Sequence, residues 1–380
     1  MATLYVTYND LPGGIYYSQV IDVVRYMQTT CKEKVYLISF ISVRDFFNNR
    51  RKIKEHFSNS IVLPMFPGFS NWRLNRFYLL FISLFYFNSI VISRGIFAWD
   101  IVYPFRKVNL IKKLVLDARG AYKAEFEEYK IYGNKDFIQK VYMLEQQAVL
   151  NSDFVNAVSN KLVRYWKDSY GYASNNYSVI PCTLAKTFIK DFPTKIDIEK
   201  SRASMDYLPD DIVLVFSGSI SGWQSLSYFD EILNKLFLLY SNLKVLLIGH
   251  HDLSQYKIAK QFPERIKQIM CGQSEVINYL YMGDYGWLVR EQSITNKVAS
   301  PVKFAEYLAA GLSVIISENL GDYSDFCLQY NCGSIFSEQK INHRFKQVSY
   351  EDKKQIHELA IQHFTKETYK DTYLKILNKK

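Results

Sequence analysis

Residues 290–317 read REQSITNKVASPVKFAEYLAAGLSVIIS. The stretch carries its own punctuation. Ser300 is a good N-cap, Pro301 suits the first helical position, and Gly311 suits the stop after the last turn. A helix over 301–310 is predicted, followed by a strand at Ser313–Ile316. Lys303 falls in the first turn, on the wrong end of the helix dipole by ~0.3–1 kcal/mol. A bound anion would relieve that conflict, because helix N-termini expose amides toward anions. Glu306 lies at i+3 from Lys303, a spacing that also fits an ordinary surface pair.

The same alternation runs outward in both directions. Strands are predicted near Leu4–Thr7, Val35–Phe40, Ile61–Leu63, Ile90–Ser93, Leu114–Asp117, Val155–Ser159 and Ser178–Ile180. The second half offers Ile212–Ser217, Lys244–Ile248, Ile266–Met270, Tyr285–Val289, Ser313–Ile316 and Ser334–Phe336. Several are near-continuous apolar runs, as in parallel strands buried on both faces. Helical periodicity separates them: Val20, Val24 and Met27 share one face, as do Phe137, Val141, Leu144 and Ala148. The pattern implies an α/β chain of two doubly wound units. The stretch 181–210 lacks clear periodicity and carries Pro193 and Pro209, so the interdomain linker is expected there. Ligands of open α/β sheets bind at the carboxyl ends of the strands, so function is read from the loops that follow them.

Composition sets limits. With 380 residues, 48% of them hydrophobic, the chain can build two cores. None of the five cysteines form a C-x-x-C pair, and the start resembles a strand rather than a secretory signal, so a reduced, cytoplasmic setting is expected. The longest apolar run, FYLLFISLFYF at 77–87, is shorter than the ~20 residues that span a bilayer. A buried or half-buried helix is the favoured reading of it, with a membrane-lying helix second. The formal net charge is +10. Residues 1–184 hold 23 Lys+Arg against 14 Asp+Glu, so +9 of the excess lies there. A basic group from Arg44 through Arg50, Arg51, Lys52 and Lys54 to Arg73 and Arg76 borders the aromatic run. That combination suits an anionic membrane surface; no nucleic-acid motif accompanies it, so no nucleic acid is expected.

Other chemistries lack their signatures. There is no G-x-x-x-x-G-K-[ST] and no G-x-S-x-G. No metal is expected: His250, His251 and Asp252 are adjacent, unlike the i,i+4 pair of a helical zinc site, and read as a loop. Arg94, Asp117, Arg119 and Glu125 follow strands of the basic half. They could orient an acceptor or form structural ion pairs, with equal weight on each.

The pattern S-P-x-K-F-x-E-Y-L-A-x-G-L-x-V-I-I, preceded by an Arg and an Asn-Lys pair, resembles the donor-binding segment of glycosyltransferase family 4. Three weaker stretches agree: SDFVNAVSNKLVRYW at 152–166, YSVIPCTLAKTF at 177–188 and IVLVFSGS at 212–219. VLDARG at 115–120 resembles the D-x-R-G of some cell-surface polysaccharide transferases. The resemblance implies a GT-B architecture, two Rossmann-like domains facing each other across a cleft. Residues 1–184 would form a basic acceptor domain, 185–360 the donor domain, and 361–380 a C-terminal helix crossing back. It further implies a retaining, metal-independent transferase of polysaccharide biosynthesis with no cofactor, its donor being a nucleotide-diphosphate sugar. The acceptor would be a lipid-linked saccharide or similar glycan, at the inner face of a membrane. By the same resemblance Glu306 matches the second Glu of an E-x7-E motif and binds ribose. Ser300, Pro301, Val302 and Lys303 match the helix start facing the diphosphate. Gly218 and Ser219 match the donor turn, and Gly13 and Gly14 the glycine loop of the first domain. Two departures stand out. Val298 occupies the place of the first Glu, and the basic clamp after Ser217 is missing. Arg290, Lys297 and Lys303 are the alternatives for that charge, with Arg290 and Lys303 taken as catalytic. The rival readings are a GT-B epimerase or hydrolase, and a catalytically silent sugar-nucleotide-binding scaffold.

Overall fold

The computed structural model describes residues 2–130, 135–218, 226–336 and 345–378. It divides into two compact units. One comprises 1–185 with 298–300 and 366–380; the other comprises 186–297 with 301–365.

The first unit is built on seven strands: β1 (Thr3–Tyr8), β2 (Val35–Ile41), β3 (Ile61–Pro64), β4 (Ser89–Arg94), β5 (Ile111–Asp117), β6 (Phe154–Ala157) and β7 (Tyr177–Val179). They lie in the order β3-β2-β1-β4-β5-β6-β7, every neighbour parallel. β1 is buried at all six positions, which is why it reads as an unbroken apolar and hydroxyl run. Alternate residues serve opposite faces. Leu4 and Val6 join a core with Leu79, Phe97 and Leu144. Tyr5 joins a second core with Val20, Val24 and Ile53, completed by Tyr373 and Ile376 near the C-terminus.

The second unit holds six parallel strands: β8 (Ile212–Ser217), β9 (Leu243–Ile248), β10 (Ile266–Ile269), β11 (Tyr285–Leu288), β12 (Ser313–Ser317) and β13 (Gly333–Phe336). Their order is β10-β9-β8-β11-β12-β13. In both sheets chain order reverses once, between β1 and β4 and between β8 and β11. A switch point of this kind leaves a crevice at the strand ends.

Three local expectations need correction. Ser300 does not cap the helix Val302–Ala309. Pro301 occupies the N-cap position without a side-chain bond, and the Ser300 hydroxyl accepts the Cys182 amide at 2.9 Å instead. Gly311 does end the helix, at φ 74°, where a β-carbon would stand 2.7 Å from the Lys353 carbonyl. The expected linker contains a ten-residue helix, Lys195–Ser204, capped by Thr194. Its inward face is Ile198 and Arg202, and the buried arginine hides the apolar period. Arg202 is held by the Met282 carbonyl at 2.8 Å and Asp284 at 3.1 Å. The C-terminal helix is two: Tyr350–Phe364 and Lys370–Ile376, with Thr365 extended between them. The 77–87 run does form a half-buried helix over most of its length, as expected. The helix Arg76–Phe85 buries Leu79 and Ser83 and leaves a wide apolar face exposed.

Candidate functional site

The carboxyl ends of β8, β9 and β11 and the start of the Val302–Ala309 helix supply the first constellation. Tyr307 anchors it. Its ring lies on Gly286 of β11, where a β-carbon would stand 2.5 Å from Tyr307 Cγ, and its hydroxyl accepts the Ser217 amide at 3.0 Å. That bond fixes the end of β8, so Gly218 follows at φ 108°. One turn before Tyr307, on the same helix face, Lys303 extends over the Phe216 ring with Nζ 5.2 Å from its centroid. The ammonium rests against Gly218, where a β-carbon would stand 2.6 Å from Lys303 Cε. Glycine is thus favoured at 218 by its backbone conformation, while a β-carbon there would have to displace the end of the Lys303 side chain. Gly249, at the end of β9, is stacked beneath it, 3.1 Å from the Gly218 carbonyl for a β-carbon.

Arg290 completes the set. Ser317, the last residue of β12, clasps its backbone: the hydroxyl accepts the Arg290 amide at 2.6 Å and donates to its carbonyl at 2.9 Å. The guanidinium donates to Asn296 Oδ1 at 3.3 Å. Burial pushes the Lys303 ammonium down to about 8, the nearby Arg290 charge pushes the same way, and Glu306 opposes both. Burial likewise lifts the Glu306 carboxyl to about 7 against the pull of Lys303. Two cations and a carboxyl thus share a poorly hydrated spot at a helix N-terminus, an arrangement that an anion with adjoining hydroxyls would complete.

Of the other expected donor residues, Lys297 is exposed on a five-residue helix, Ile294–Val298. Ser300 and Val298 belong to the first unit. Val298 is buried in that unit's core, with its carbonyl accepting the Ser159 hydroxyl at 2.7 Å. Ser219 lies outside the described residues. His251, expected only as part of a loop, also lies here. It is buried, its Nδ1 3.2 Å from Tyr256 Oη and its ring 5.4 Å from Phe216. Burial and then the Lys303 charge hold its pKa below the usual histidine value. Its only sequence signal is position, two residues after a glycine that ends a buried strand.

The first unit gathers a second constellation at its own switch point. Asp117 ends β5 and accepts Tyr5 Oη at 2.5 Å, Arg119 Nη2 at 2.8 Å and Asn156 Nδ2 at 2.9 Å. Arg94 stands 3.7 Å from Asp117 and 3.4 Å from Asp10. Arg94, Asp117 and Arg119 are therefore brought together, and Asp10, after β1, joins them unannounced by any motif. Beside them Gly95, at φ 78°, has the Tyr122 hydroxyl where a β-carbon would be, and Gly120 similarly faces the Glu125 carboxyl. Burial, then the Glu145 charge, lifts Glu125 to about 7. Gly13 has φ −164° and open space around a β-carbon, so the protein itself does not require glycine there. Gly14 opens the first helical turn.

No family model and no curated protein matches the sequence itself. Solved structures do match the fold. HepE from Anabaena, in complex with UDP, aligns with TM-score 0.73 over 100% of both chains at 12% identity. The chain has the GT-B fold. A glycosyltransferase from Rickettsia africae aligns with TM-score 0.70 at 17% identity, covering 100% of this chain and 98% of its own. Sucrose-phosphate synthase from Thermosynechococcus elongatus gives 0.71 at 10% identity over 100% and 99%. Identities this low speak for the GT-B architecture of two Rossmann-like domains, and the two strand orders above are its signature in this chain.

Proposed function

We propose that this GT-B chain is a retaining glycosyltransferase that moves a sugar from a nucleotide-diphosphate donor to a glycan acceptor. The observation that carries the reading is the pairing of Lys303 and Arg290 at the start of the Val302–Ala309 helix, where burial and mutual repulsion weaken the lysine's charge. A diphosphate there would restore it, and Glu306, one helical turn on, would accept hydrogen bonds from ribose hydroxyls. HepE was solved with UDP, which supports a nucleoside diphosphate as the ligand class. Negative charge grows on the diphosphate as the glycosidic bond breaks, and preorganised cations stabilise that change more than they stabilise the ground state. The acceptor is a lipid-linked saccharide or similar glycan, and the working place is an anionic membrane surface on the cytoplasmic side. The charge excess of the first half supports that placement. The deciding experiment is thermal unfolding with a panel of nucleotide sugars. A donor at 100 times its dissociation constant stabilises by ~2.7 kcal/mol. If no nucleotide sugar or nucleoside diphosphate raises the transition, the reading is wrong.

A second reading, a silent sugar-nucleotide-binding scaffold, is favoured by Val298. The place expected for a donor-contacting Glu holds a core residue whose carbonyl is already bonded to Ser159. Nucleotide binding without turnover on any acceptor selects that reading. Sugar-nucleotide conversion without an acceptor selects the epimerase or hydrolase instead.

The two shifted groups set a pH window. Lys303 loses its charge as pH rises through about 8, and Glu306 becomes an ionised acceptor as pH rises through about 7. Nucleoside diphosphate affinity should therefore peak between these values and fall on both sides. Lys303→Arg should remove the alkaline limb, because a guanidinium stays charged. Calorimetric titrations giving a flat profile across both values would contradict the assignment.

Protein cations rather than a bound metal neutralise the diphosphate in this scheme. Turnover should survive EDTA at full rate; loss with EDTA and recovery with magnesium or manganese would replace the scheme with a metal-assisted one.

A further inference from the structure

The helix Arg76–Phe85 is apolar on both sides. Leu79 and Ser83, one turn apart, turn inward, with Tyr78 and Ile82 half-buried beside them against the core. The outward side is as apolar as the inward one. Phe77, Phe81, Leu84, Phe85 and the following Phe87 are each 62–85% exposed. Positions 77, 81, 84 and 85 follow the i, i+4, i+7, i+8 spacing of a single stripe. Contiguous apolar surface of this kind on a water-soluble face marks an interaction site.

What covers the stripe is indicated by charge. No Asp or Glu occurs between Glu55 and Asp100, a stretch that includes the whole helix. Cations stand at both ends of it. Arg73 precedes the helix and Arg76 opens it, and the two share Asp100, at 2.7 and 3.2 Å, with the Arg73 side chain still 59% exposed. At the other end Tyr86 packs on Tyr36 at 4.7 Å between centroids, and exposed Lys34 lies 5.7 Å over that ring. A proteinaceous partner would meet few groups to pair with along the stripe. A bilayer interface meets all of it: acyl chains take the phenylalanines, and anionic headgroups take the flanking cations. Among the described residues no helix is long and apolar enough to cross a membrane.

We infer that the Arg76–Phe85 helix is an interfacial anchor, lying in the plane of an anionic lipid surface with Phe77, Phe81, Leu84 and Phe85 inserted among the acyl chains. This deepens the membrane part of the proposed function, and it changes its physics. The basic group Arg44–Lys54 lies mostly on the helix Phe46–His56, whose Ile53 packs in the core on the other face of the sheet from Leu79. Sequence adjacency therefore does not merge that group with the aromatic stripe, and attachment is chiefly hydrophobic rather than electrostatic.

The test is co-sedimentation of the full chain with phosphatidylcholine vesicles, with and without phosphatidylglycerol, at low and high salt. Size-exclusion chromatography without lipid accompanies it. The parent should bind the anionic vesicles best and keep a measurable part of that binding at high salt, where surface charge is screened. The double variant Phe81→Asp, Phe85→Asp should bind at least about tenfold less, since two inserted aromatics are replaced by charges. Both positions are exposed, so melting temperature and nucleoside diphosphate binding should match the parent. Unchanged lipid binding by the double variant overturns the anchor. So does a parent that elutes as a dimer and ignores vesicles, because the stripe is then an interface between copies. Nucleotide binding is scored separately, so failure of the anchor leaves the transferase reading standing, and the reverse.

Discussion

Lys303→Ala should slow sugar transfer by roughly 10²–10³, the range found when a preorganised charge-stabilising donor is removed from an active site. Nucleoside diphosphate affinity should fall less, by ~1.5–3 kcal/mol, the contribution of a hydrogen bond to a charged group. The asymmetry follows from when the charge is needed. In the proposed scheme the helix amides and Arg290 already hold the diphosphate in the ground state. As the glycosidic bond breaks, added negative charge falls on the oxygens nearest Lys303, in a setting that burial has already made poorly hydrated. Glu306→Gln should behave differently. The ribose is unchanged during transfer, so affinity should fall by the same ~1.5–3 kcal/mol with kcat nearly intact. Both residues are half-buried rather than part of the second unit's core, so melting should stay near the parent. The measurements are single-turnover rate and calorimetric affinity for each variant. If both variants bind and turn over like the parent, the pair is a structural ion pair and the site lies elsewhere.

How far the sequence could be read depended on whether the information was local. Caps, breakers and strand runs act over a few residues, so Gly311 and the run of β12 announced themselves, and with them the alternation of both sheets. As candidates, Lys303 stood out because a cation in a first helical turn is a local conflict, and Glu306 because of its place in the segment that carries the family resemblance. The failures were non-local. Ser300 looks like a cap until the amide of Cys182, distant in sequence, claims its hydroxyl. The helix Lys195–Ser204 was hidden because its inward face uses Arg202, whose partners Met282 and Asp284 come from another element. A run that is apolar at every position but Ser83 shows no clear period, so its exposed stripe could not be told from its inward face. His251 and Asp10 acquire meaning only from the strands beside them. No spacing rule links Asp10 to Arg94 or His251 to Lys303.

Asp117 offers the largest expected effect on stability, and it decides between the two roles open to the residues after β5. Its side chain is 3% exposed and accepts bonds from Tyr5, Arg119 and Asn156, with Arg94 3.7 Å away. Burial alone would raise its pKa. The guanidiniums of Arg119 and Arg94, with the Tyr5 and Asn156 bonds, outweigh burial and hold it below the usual carboxylate range. A group so enclosed has little left to offer an acceptor, and its partners depend on it. Asp117→Ala would leave two buried guanidiniums facing each other and strip the Tyr5 hydroxyl of its acceptor. Breaking a buried pair from one side typically costs 3–5 kcal/mol. At about 2–4 °C per kcal/mol for a domain of this size, the transition of the first unit should drop by roughly 6–20 °C. The pH dependence has a definite sign. A depressed folded-state pKa contributes stability that is present above the unfolded value of about 3.9 and disappears as pH falls below it. The parent should lose this contribution in acid, so the gap between parent and variant should narrow there. Urea unfolding at neutral and acid pH measures both. Nucleoside diphosphate affinity of the folded variant should be unchanged, since Arg290, Lys303 and Glu306, the proposed donor residues, belong to the other unit. A variant that melts like the parent but fails to saturate with a glycan acceptor would assign Asp117 to acceptor binding, and the buried network would then be the smaller part of its role.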